Sequence, residues 1–388
     1  AAAGFGISRI LIRYSQVTGH LGVAQKAAEM APDDAQAHRT VAAIFRLLNS
    51  PVEAARELET AVALRPSDYT LWLTLGQIRD GLGDTPGALA AFDEAVKRAP
   101  FYSQPRWQRG NLLLRMGQHE AAFTDLNLAT QSNPEFIPNM IDLAWSLSKG
   151  DRKLTEDLAQ IKSEKMHLAF ARFLTKRGKP EEALAEYRIA GSVPDDVRRE
   201  LLEQLLATAS YKEAFEIWRD SQPGVRSDAP IFDGGFEAPL SLKEIGFGWK
   251  VANELKTATF SIDPSQPHSG SKSLRIDFQG GAGGPLVSQV ILVEPSKRYQ
   301  ASFAARSHEI VTGGLPLVVV TDTAGERKPL AQSAPLSKGT SDWRVFSLQF
   351  TTAPTTNAVV LSVEREGCTP CPIFGSISLD SFSLEQLK

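Results

Sequence analysis

The sequence contains little cysteine, no long hydrophobic run and no excess of charge of either sign. Only two of the 388 residues are cysteine, so a second cysteine pair for a zinc site is missing. No hydrophobic run approaches the ~18 residues of a membrane-spanning helix, and we predict no membrane span within the chain. The formal net charge is −3. Because nucleic-acid-binding proteins concentrate basic residues on one surface, we also predict no nucleic-acid partner.

Sequence motifs of enzymes are absent as well. The chain has no glycine-rich phosphate loop followed by lysine, no HExxH and no GxSxG. The glycine run Gly280–Gly284 does not open a predicted helix, so it indicates a turn and not a nucleotide site. We therefore predict a protein that is not an enzyme. A hydrolase is the remote alternative, since a pair of glycosidase carboxylates is defined by separation in space and not by sequence.

Several residue classes recur at intervals of 34 residues in the first half of the chain. Chance would rarely align proline, glycine, alanine and larger apolar residues in one period. The recurring positions are Pro32, Pro66, Pro100 and Pro134; Ala27, Ala61, Ala95 and Ala129; Ala54, Ala88 and Ala122; Leu58, Phe92 and Leu126; and Gly76 and Gly110. The period predicts stacked helical hairpins, in which the small residues let helices approach and each proline ends a second helix.

This pattern resembles the tetratricopeptide repeat family. The best match is residues 69–102, with Trp72, Leu75, Gly76, Ala88, Phe92, Ala95 and Pro100, although Arg79 stands where the family has an aromatic residue. The register is firm from about residue 20 to 136, degenerate through 137–162 and recovered to 222. The resemblance implies a right-handed α-solenoid over residues 1–222, with a concave groove lined by the first helix of each hairpin.

The resemblance also implies which side chains face that groove and bind a protein or peptide partner. These are Arg39, Arg46, Gln77, Asp80, Trp107, Asn111, Arg115 and Arg172. Trp and Arg are favoured anchors at interfaces. The alternative is that these side chains lie on solvated helix faces and that Trp107 packs between hairpins. The subgroup that clamps two carboxylates of chaperone tails is not expected, because Ala43 stands where its asparagine would be.

The pattern changes near residue 222. Residues 223–230 are predicted to be a linker, and residues 231–388 alternate with a period of two between glycine-rich turns. Eight strands are predicted, at 257–263, 271–278, 286–293, 298–306, 315–321, 343–350, 358–364 and 377–384. Short strands with polar breaks are typical of an antiparallel β-sandwich. The fold class is therefore a multidomain α plus all-β protein.

The second half resembles the jelly-roll carbohydrate-binding modules. The resemblance rests on residues 235–237, 248–249, 299–306, 343–350 and 379–384, and above all on residues 268–276. It implies a glycan-binding alternative, in which Trp249 and Tyr299 are aromatic platforms for a polysaccharide. Equally, Trp249 could cover one end of the sandwich. A structural calcium ion at Glu237 and Asp380 is the one cofactor implied; the alternative is that these carboxylates cap strands or pair with Lys272 or Arg275.

Both cysteines lie in the segment Cys368-Thr369-Pro370-Cys371. A loop between predicted strands does not suit a thioredoxin-like site, which needs a helix start after a strand. We predict a disulfide between Cys368 and Cys371, which is typical of exported proteins; reduced thiols in a cytosolic protein are the alternative.

These features predict a scaffold or interaction protein of the bacterial cell envelope. The role suggested by resemblance is polysaccharide assembly or export, with the helical groove docking a protein or peptide. The sequence begins with Ala1 and not with methionine, so we expect a processed or trimmed form. We expect a periplasmic or extracytoplasmic location, with an anchor supplied by a missing N-terminal segment as one option.

Overall fold

The computed structural model describes residues 2–222, 229–241, 243–252, 257–280, 284–324, 328–367 and 371–388, and side chains from residue 6 onward. In these ranges fourteen α-helices precede ten β-strands. Two compact units are present, residues 1–169 and 170–388. The change from helix to strand follows Arg219, where the last helix ends. The compact units divide earlier, so the last helices belong to the same unit as the strands.

The first unit consists of helical hairpins, as the period predicts. Its helices are α1 (Ala2–Thr18), α2 (Leu21–Met30), α3 (Ala35–Leu47), α4 (Pro51–Leu64), α5 (Tyr69–Gly81), α6 (Thr85–Arg98), α7 (Ser103–Arg115), α8 (His119–Ser132), α9 (Ile137–Leu147) and α10 (Arg152–Ala159). Each hairpin packs on the next, since α2 contacts α3, α4 contacts α5 and α6 contacts α7. The degenerate stretch of the sequence corresponds to α9 and the short helix α10.

Local signals fix the ends of these helices. The side chains of Asp34 and Asp68 accept hydrogen bonds from the backbone N–H groups of Gln36 and Thr70, which caps α3 and α5. Pro32 and Pro66 lie two residues beyond the ends of α2 and α4, as predicted. In these two hairpins a stop signal and a start signal therefore recur with the 34-residue period, whereas Tyr102 at the next such position makes no side-chain cap.

The recurring spacing of small residues has a steric cause within the hairpins. A Cβ atom on Gly76 would come within 2.5 Å of the Phe92 ring, and one on Gly110 within 2.9 Å of Leu126. Phe92 and Leu126 are fully buried. In contrast, a Cβ atom on Gly81, in the same helix as Gly76, would meet nothing within 4 Å. Within α5, close packing therefore requires glycine at position 76 of the repeat period and not at position 81.

The second unit combines helices with a β-sandwich. Its helices are α11 (Glu164–Lys176, which begins in the first unit), α12 (Pro180–Ala190), α13 (Asp195–Ala207) and α14 (Tyr211–Arg219). Its strands are β1 (Lys250–Val251), β2 (Ala258–Asp263), β3 (Ser273–Gly280), β4 (Val287–Leu292), β5 (Arg298–Thr312), β6 (Pro316–Asp322), β7 (Pro329–Gln332), β8 (Gly339–Thr351), β9 (Ala358–Arg365) and β10 (Ile373–Leu387). All eight predicted strands are present.

The strands form two five-stranded antiparallel sheets, in the orders β1-β4-β9-β6-β7 and β2-β3-β10-β5-β8. Apart from the edge strands β1 and β2, successive strands are distributed in the order of a jelly roll, which confirms the predicted architecture. One apolar core fills the space between the sheets, with Phe303, Leu274 and Val363 at its centre.

Helix α14 is docked on the segment that leads into the sandwich. Trp218 is only 2% exposed and packs edge-on against Phe232 at 5.0 Å and against Phe247 at 5.8 Å. Its indole N–H donates to the Glu244 carboxylate at 2.9 Å. A Cβ atom on Gly246 would come within 2.0 Å of the Trp218 ring, so glycine is required there. These contacts explain why the last helices and the strands form one unit.

Among the helices of the described ranges, none combines the length and the apolar character needed to cross a membrane.

Candidate binding surfaces

The first helices of the first four hairpins share one face of the first unit. Helix α1 contacts α3, and α5 contacts α7. Side chains also bridge these helices: the Gln16 amide donates to the Thr40 hydroxyl at 3.2 Å, and Arg115 donates to Asp80 at 2.5 Å. We call the surface formed by α1, α3, α5 and α7 the first-helix face.

The predicted groove residues differ in how available they are. Arg39, Arg46 and Arg115 are exposed, whereas Gln77 and Asp80 are half-buried. The ion pair of Asp80 with Arg115 joins two successive hairpins. Three of the five side chains, Arg39, Arg46 and Arg115, thus present a guanidinium group at the surface.

Trp107 and Asn111 are partly used by the fold. The Trp107 ring stacks on Phe136 with a centroid distance of 4.5 Å and an interplanar angle of 13°. The Asn111 amide donates to the Trp107 carbonyl oxygen at 2.8 Å, within the same helix. One face of the Trp107 ring is therefore covered by Phe136, which agrees with the alternative that Trp107 packs between hairpins. The residue is only half-buried, so part of the ring stays accessible.

Arg172 lies on α11, in the second compact unit. Its guanidinium pairs with Glu200 at 2.5 Å, and the two side chains are 35% and 39% exposed. The structure gives this residue an ion pair within its own unit.

Charge is partitioned between the two helices of each hairpin. Helices α1, α3, α5 and α7 carry one acidic residue, Asp80, and eight arginines: Arg9, Arg13, Arg39, Arg46, Arg79, Arg106, Arg109 and Arg115. Helices α2, α4, α6 and α8 carry eight acidic residues, namely Glu29, Glu53, Glu57, Glu59, Asp93, Glu94, Glu120 and Asp125, against four basic ones. The first-helix face is therefore basic, although the chain as a whole is slightly acidic.

A buried ion network, which the sequence patterns did not reveal, joins α6, α7 and α8. Asp125 is 2% exposed. It accepts hydrogen bonds from Arg109 at 2.5 and 2.8 Å and from Arg106 at 3.1 Å. Arg109 also donates to Asp93 at 2.8 Å. The hydrogen bond to Asp125 is the main reason that the pKa of Arg109 lies above its ordinary value. The sequence signal for this network is Asp125 itself, an acidic residue directly before the buried repeat position Leu126.

The predicted glycan platforms lie in the core of the sandwich. Trp249 is 4% exposed, packs between Phe236 and Phe382 at 4.9 Å from each, and donates its indole N–H to the Asp233 carbonyl oxygen. Because no ring face reaches the surface, the prediction that Trp249 is a sugar platform is wrong, and its alternative role as a cover for the core agrees with the structure.

Tyr299 is buried as well. It is 5% exposed and stacks on Phe350 at 5.5 Å. Its hydroxyl accepts a hydrogen bond from the backbone N–H of Glu294 at 2.8 Å. A ring that is held on one side by the core and at its hydroxyl by the backbone cannot stack on a sugar, so the platform prediction for Tyr299 is also wrong.

Asp380 and Glu237 hold the loop before β3. The buried Asp380 carboxylate accepts the N–H groups of His268 at 2.8 Å and Ser269 at 3.0 Å. The Glu237 carboxylate accepts the N–H of Ser271 at 2.7 Å and its hydroxyl at 2.5 Å. The hydrogen bond from the Ser271 hydroxyl is the main reason that the pKa of Glu237 lies below its ordinary value.

These contacts bear on the predicted calcium ion. Donor N–H groups surround the carboxylate oxygens, whereas Ca²⁺ requires six or more oxygen ligands. In the described ranges no group of three His, Cys, Asp or Glu side chains is placed to hold a metal ion. Arg275 pairs with Asp277 and Lys272 donates to the Glu237 carbonyl oxygen, so neither neutralises these carboxylates directly. Calcium binding stays a prediction.

The outer face of one sheet forms a polar groove, which we call the serine groove. Its floor is Ser376 and Ser378 on β10, and its walls are Arg275 on β3 and Arg306 and His308 on β5. The register places Ser378 opposite both arginines. The depression has a volume of about 450 Å³. Because serine is small and its neighbours are long, both serines lie below the rim and are nearly buried.

Aromatic and amide groups border the serine groove on one side. The Arg306 guanidinium lies 5.0 Å from the centroid of the Trp343 ring and donates to the Gln266 amide oxygen at 3.1 Å. The indole N–H of Trp343 donates to the Gln266 carbonyl oxygen at 3.0 Å. These contacts, together with an ion pair to Asp263 at 4.0 Å, fix Arg306 in position over the groove.

Cys371 takes part in a disulfide. Cys368 lies outside the described residues, so its pairing with Cys371 stays a prediction.

Comparison with known proteins adds two sequence findings. The sequence model of the tetratricopeptide repeat family matches residues 48–103 and 73–135. Over 111 residues the chain is 34% identical to protein FlbA of Caulobacter vibrioides. That match covers 28% of this chain and 19% of FlbA, so the chain spans about one fifth of the length of this relative.

Solved structures similar to parts of the chain include a tetratricopeptide protein and a carbohydrate-binding module. YrrB, described as a tetratricopeptide protein with an unusual peptide-binding site, is 19% identical with a TM-score of 0.34, and the match covers 40% of this chain and 82% of YrrB. A family 4 carbohydrate-binding module is 15% identical with a TM-score of 0.31, and the match covers 40% of this chain and 99% of the module.

Proposed function

We propose, starting from the tetratricopeptide repeats that residues 48–135 contain, that this chain is a non-enzymatic scaffold whose first-helix face docks a protein or peptide. The observation that carries the proposal is the charge partition, which leaves exposed guanidinium groups on one face of the hairpin stack. Arginine anchors combine charge, planar hydrogen bonding and apolar contact, which suits them to interfaces.

The proposed location is the bacterial cell envelope, outside the cytoplasm, and the proposed context is polysaccharide assembly or export. The disulfide at Cys371 supports an oxidising compartment, since disulfides persist there and are rare in the cytosol. The jelly-roll architecture of the second unit is compatible with a polysaccharide context but does not define a ligand.

Site-specific photo-crosslinking in cells is expected to identify the partner. A crosslinking amino acid at Arg39, Gln77 or Arg115 should capture one recurrent protein, because these positions lie on the first-helix face. The matched control is Arg56, which is exposed on the second helix α4. Equal capture from both faces, or no capture at any first-helix position, would contradict the proposed function. Changing Trp107 and Arg115 together to alanine should abolish capture at Gln77.

A second candidate function is saccharide binding, which we propose for the serine groove and not for the buried rings of Trp249 and Tyr299. The groove offers the alternating donors and acceptors that sugar hydroxyls require: serine hydroxyls, guanidinium N–H groups and the Asp342 carboxylate at the rim.

Filling the serine groove is the direct test of this second candidate. Ser376→Tyr is expected to weaken binding to any glycan that the intact protein selects on an array by at least about tenfold, since a fold-change of ten corresponds to about 1.4 kcal/mol. Ser347→Tyr, an exposed position of β8 in the same sheet, is the control and should leave binding unchanged. Equal binding by both variants, with unchanged melting temperatures, would exclude the groove.

A further inference from the structure

The N-terminal end of the first-helix face carries arginines that the fold does not use. Arg79, Arg106, Arg109 and Arg115 form ion pairs within the hairpin stack. In contrast, Arg13 on α1 and Arg39 and Arg46 on α3 make no hydrogen bond or ion pair with any residue of the described ranges. All three are exposed. The charge that is available for a partner is therefore concentrated on the first two hairpins.

No acidic side chain of α1 or α3 competes for these arginines, because neither helix contains Asp or Glu. Asp34, which precedes α3, is occupied by Arg9 at 3.2 Å. Glu57 on the second helix α4 is bound to His38 at 2.6 Å. Asp34 and Glu57 are thus engaged by other side chains, and the three guanidinium groups remain available to an external anion.

A depression between α1 and α3 adds shape and apolar surface to this charge. It has a volume of about 440 Å³ and is lined by Arg9, Ile10, Ile12, Arg13, Gln16 and Gln36. Ile12 is buried and forms an apolar base, whereas Ile10 is 68% exposed at the rim. Glutamine amides can donate to and accept from a peptide backbone. The combination suits a peptide that carries an apolar side chain beside its acidic ones.

The spacing on α3 indicates how far apart the partner's carboxylates should be. Arg39 and Arg46 lie two turns apart on one stripe of the helix, which corresponds to about 10 Å along its axis. The exposed Ala43 lies between them, and its small side chain does not block a peptide from contacting both arginines. An extended peptide covers about 10 Å in three residues. Two acidic residues about three positions apart would therefore reach both arginines.

We infer that the α1–α3 end of the first-helix face binds an extended acidic segment of a partner protein, with two carboxylates about three residues apart and an apolar side chain between α1 and α3. The inference rests on the proposed scaffold function and specifies the chemistry of the partner. A nucleic acid is disfavoured, because the second helices carry eight acidic residues and three free arginines would neutralise few phosphates.

Fluorescence anisotropy with the full chain tests the inference. The probe is a labelled ten-residue peptide with two glutamates three residues apart and a leucine beside them. Arg39→Glu combined with Arg46→Glu is expected to weaken its binding at least about thirtyfold, and Arg56→Glu on the second helix should leave it unchanged. Replacing both glutamates of the probe by glutamine should cause a similar loss, and salt should weaken binding to the intact chain.

Three results would overturn the inference: unchanged affinity in the double variant, equal binding of the glutamine probe, or displacement of the probe by a single-stranded oligonucleotide at lower concentration than by the acidic peptide. The crosslinking experiment separates the two proposals. If Gln77 and Arg115 still capture one partner in the Arg39→Glu/Arg46→Glu variant, the acidic-segment inference fails and the scaffold function stands. If no first-helix position captures a protein, the scaffold function fails.

Discussion

Replacing Trp218 by alanine is expected to destabilise the second compact unit by about 4 kcal/mol, within the range measured for removal of large buried aromatic side chains. The ring is 2% exposed and contacts Phe215, Phe232 and Phe247. Its loss leaves a cavity that the surrounding rings cannot fill, because they belong to a helix and to a segment tied to the sandwich. The Glu244 carboxylate also loses the indole N–H that it accepts.

Denaturant unfolding, with hydrogen exchange to locate the change, measures this effect. Protection should fall together in α13, α14 and the sandwich, because they form one unit. Phe374→Ala is the matched control: this aromatic side chain is in the same unit but 49% exposed, so its loss should cost less than about 1 kcal/mol. If Trp218→Ala lowers protection in the helices alone, the contacts of α14 do not couple the two parts.

Replacing Asp125 by alanine is expected to destabilise the first compact unit by about 3 kcal/mol. Removing one partner of a buried ion pair leaves an uncompensated charge, which costs roughly 3–5 kcal/mol. The lower end applies here, because the side chains of Arg106 and Arg109 are 17% and 22% exposed and can regain water. Both guanidinium groups would nevertheless lose the acceptor that fixes them between α7 and α8.

The first compact unit supplies its own control for Asp125. Asp93 pairs with the same Arg109 at 2.8 Å, but its side chain is 53% exposed. Asp93→Ala should therefore cost at most about 1 kcal/mol, as exposed ion pairs do. Thermal and urea unfolding of both variants make the comparison. Equal effects of the two substitutions would show that burial of Asp125 contributes nothing, and the network would then be only a surface ion pair.

The repeat stack was predictable because its constraints repeat. Each hairpin needs a stop after its second helix and small residues at its close contacts, so Pro66, Gly76 and Ala88 return at the same interval. The network around Asp125 occurs once and leaves no period. Its partners come from α6 and α7 as well as α8, so only tertiary packing reveals that Arg106 and Arg109 converge on one carboxylate.

The sandwich was predictable as strands but not as surfaces. Alternation identified eight strands and missed β1 and β7. At β7, Pro329 disfavours a strand prediction and permits an edge strand only. Trp249 directly precedes the two-residue strand β1, so too few alternating positions exist to say which way its side chain lies. The serine groove depends on the pairing of β10 with β3 and β5, which are distant in sequence. Its residues could not be assembled before the sheet order was known.

The docking of α14 also affects how this protein could have been assembled in evolution. Genes are often joined where one folding unit ends, and the shift from helix to strand after Arg219 looks like such a junction. A recombination event there would separate Trp218 from Phe232 and Phe247 and leave apolar rings uncovered on both products. A boundary that keeps these contacts intact therefore lies before α14 and not after Arg219.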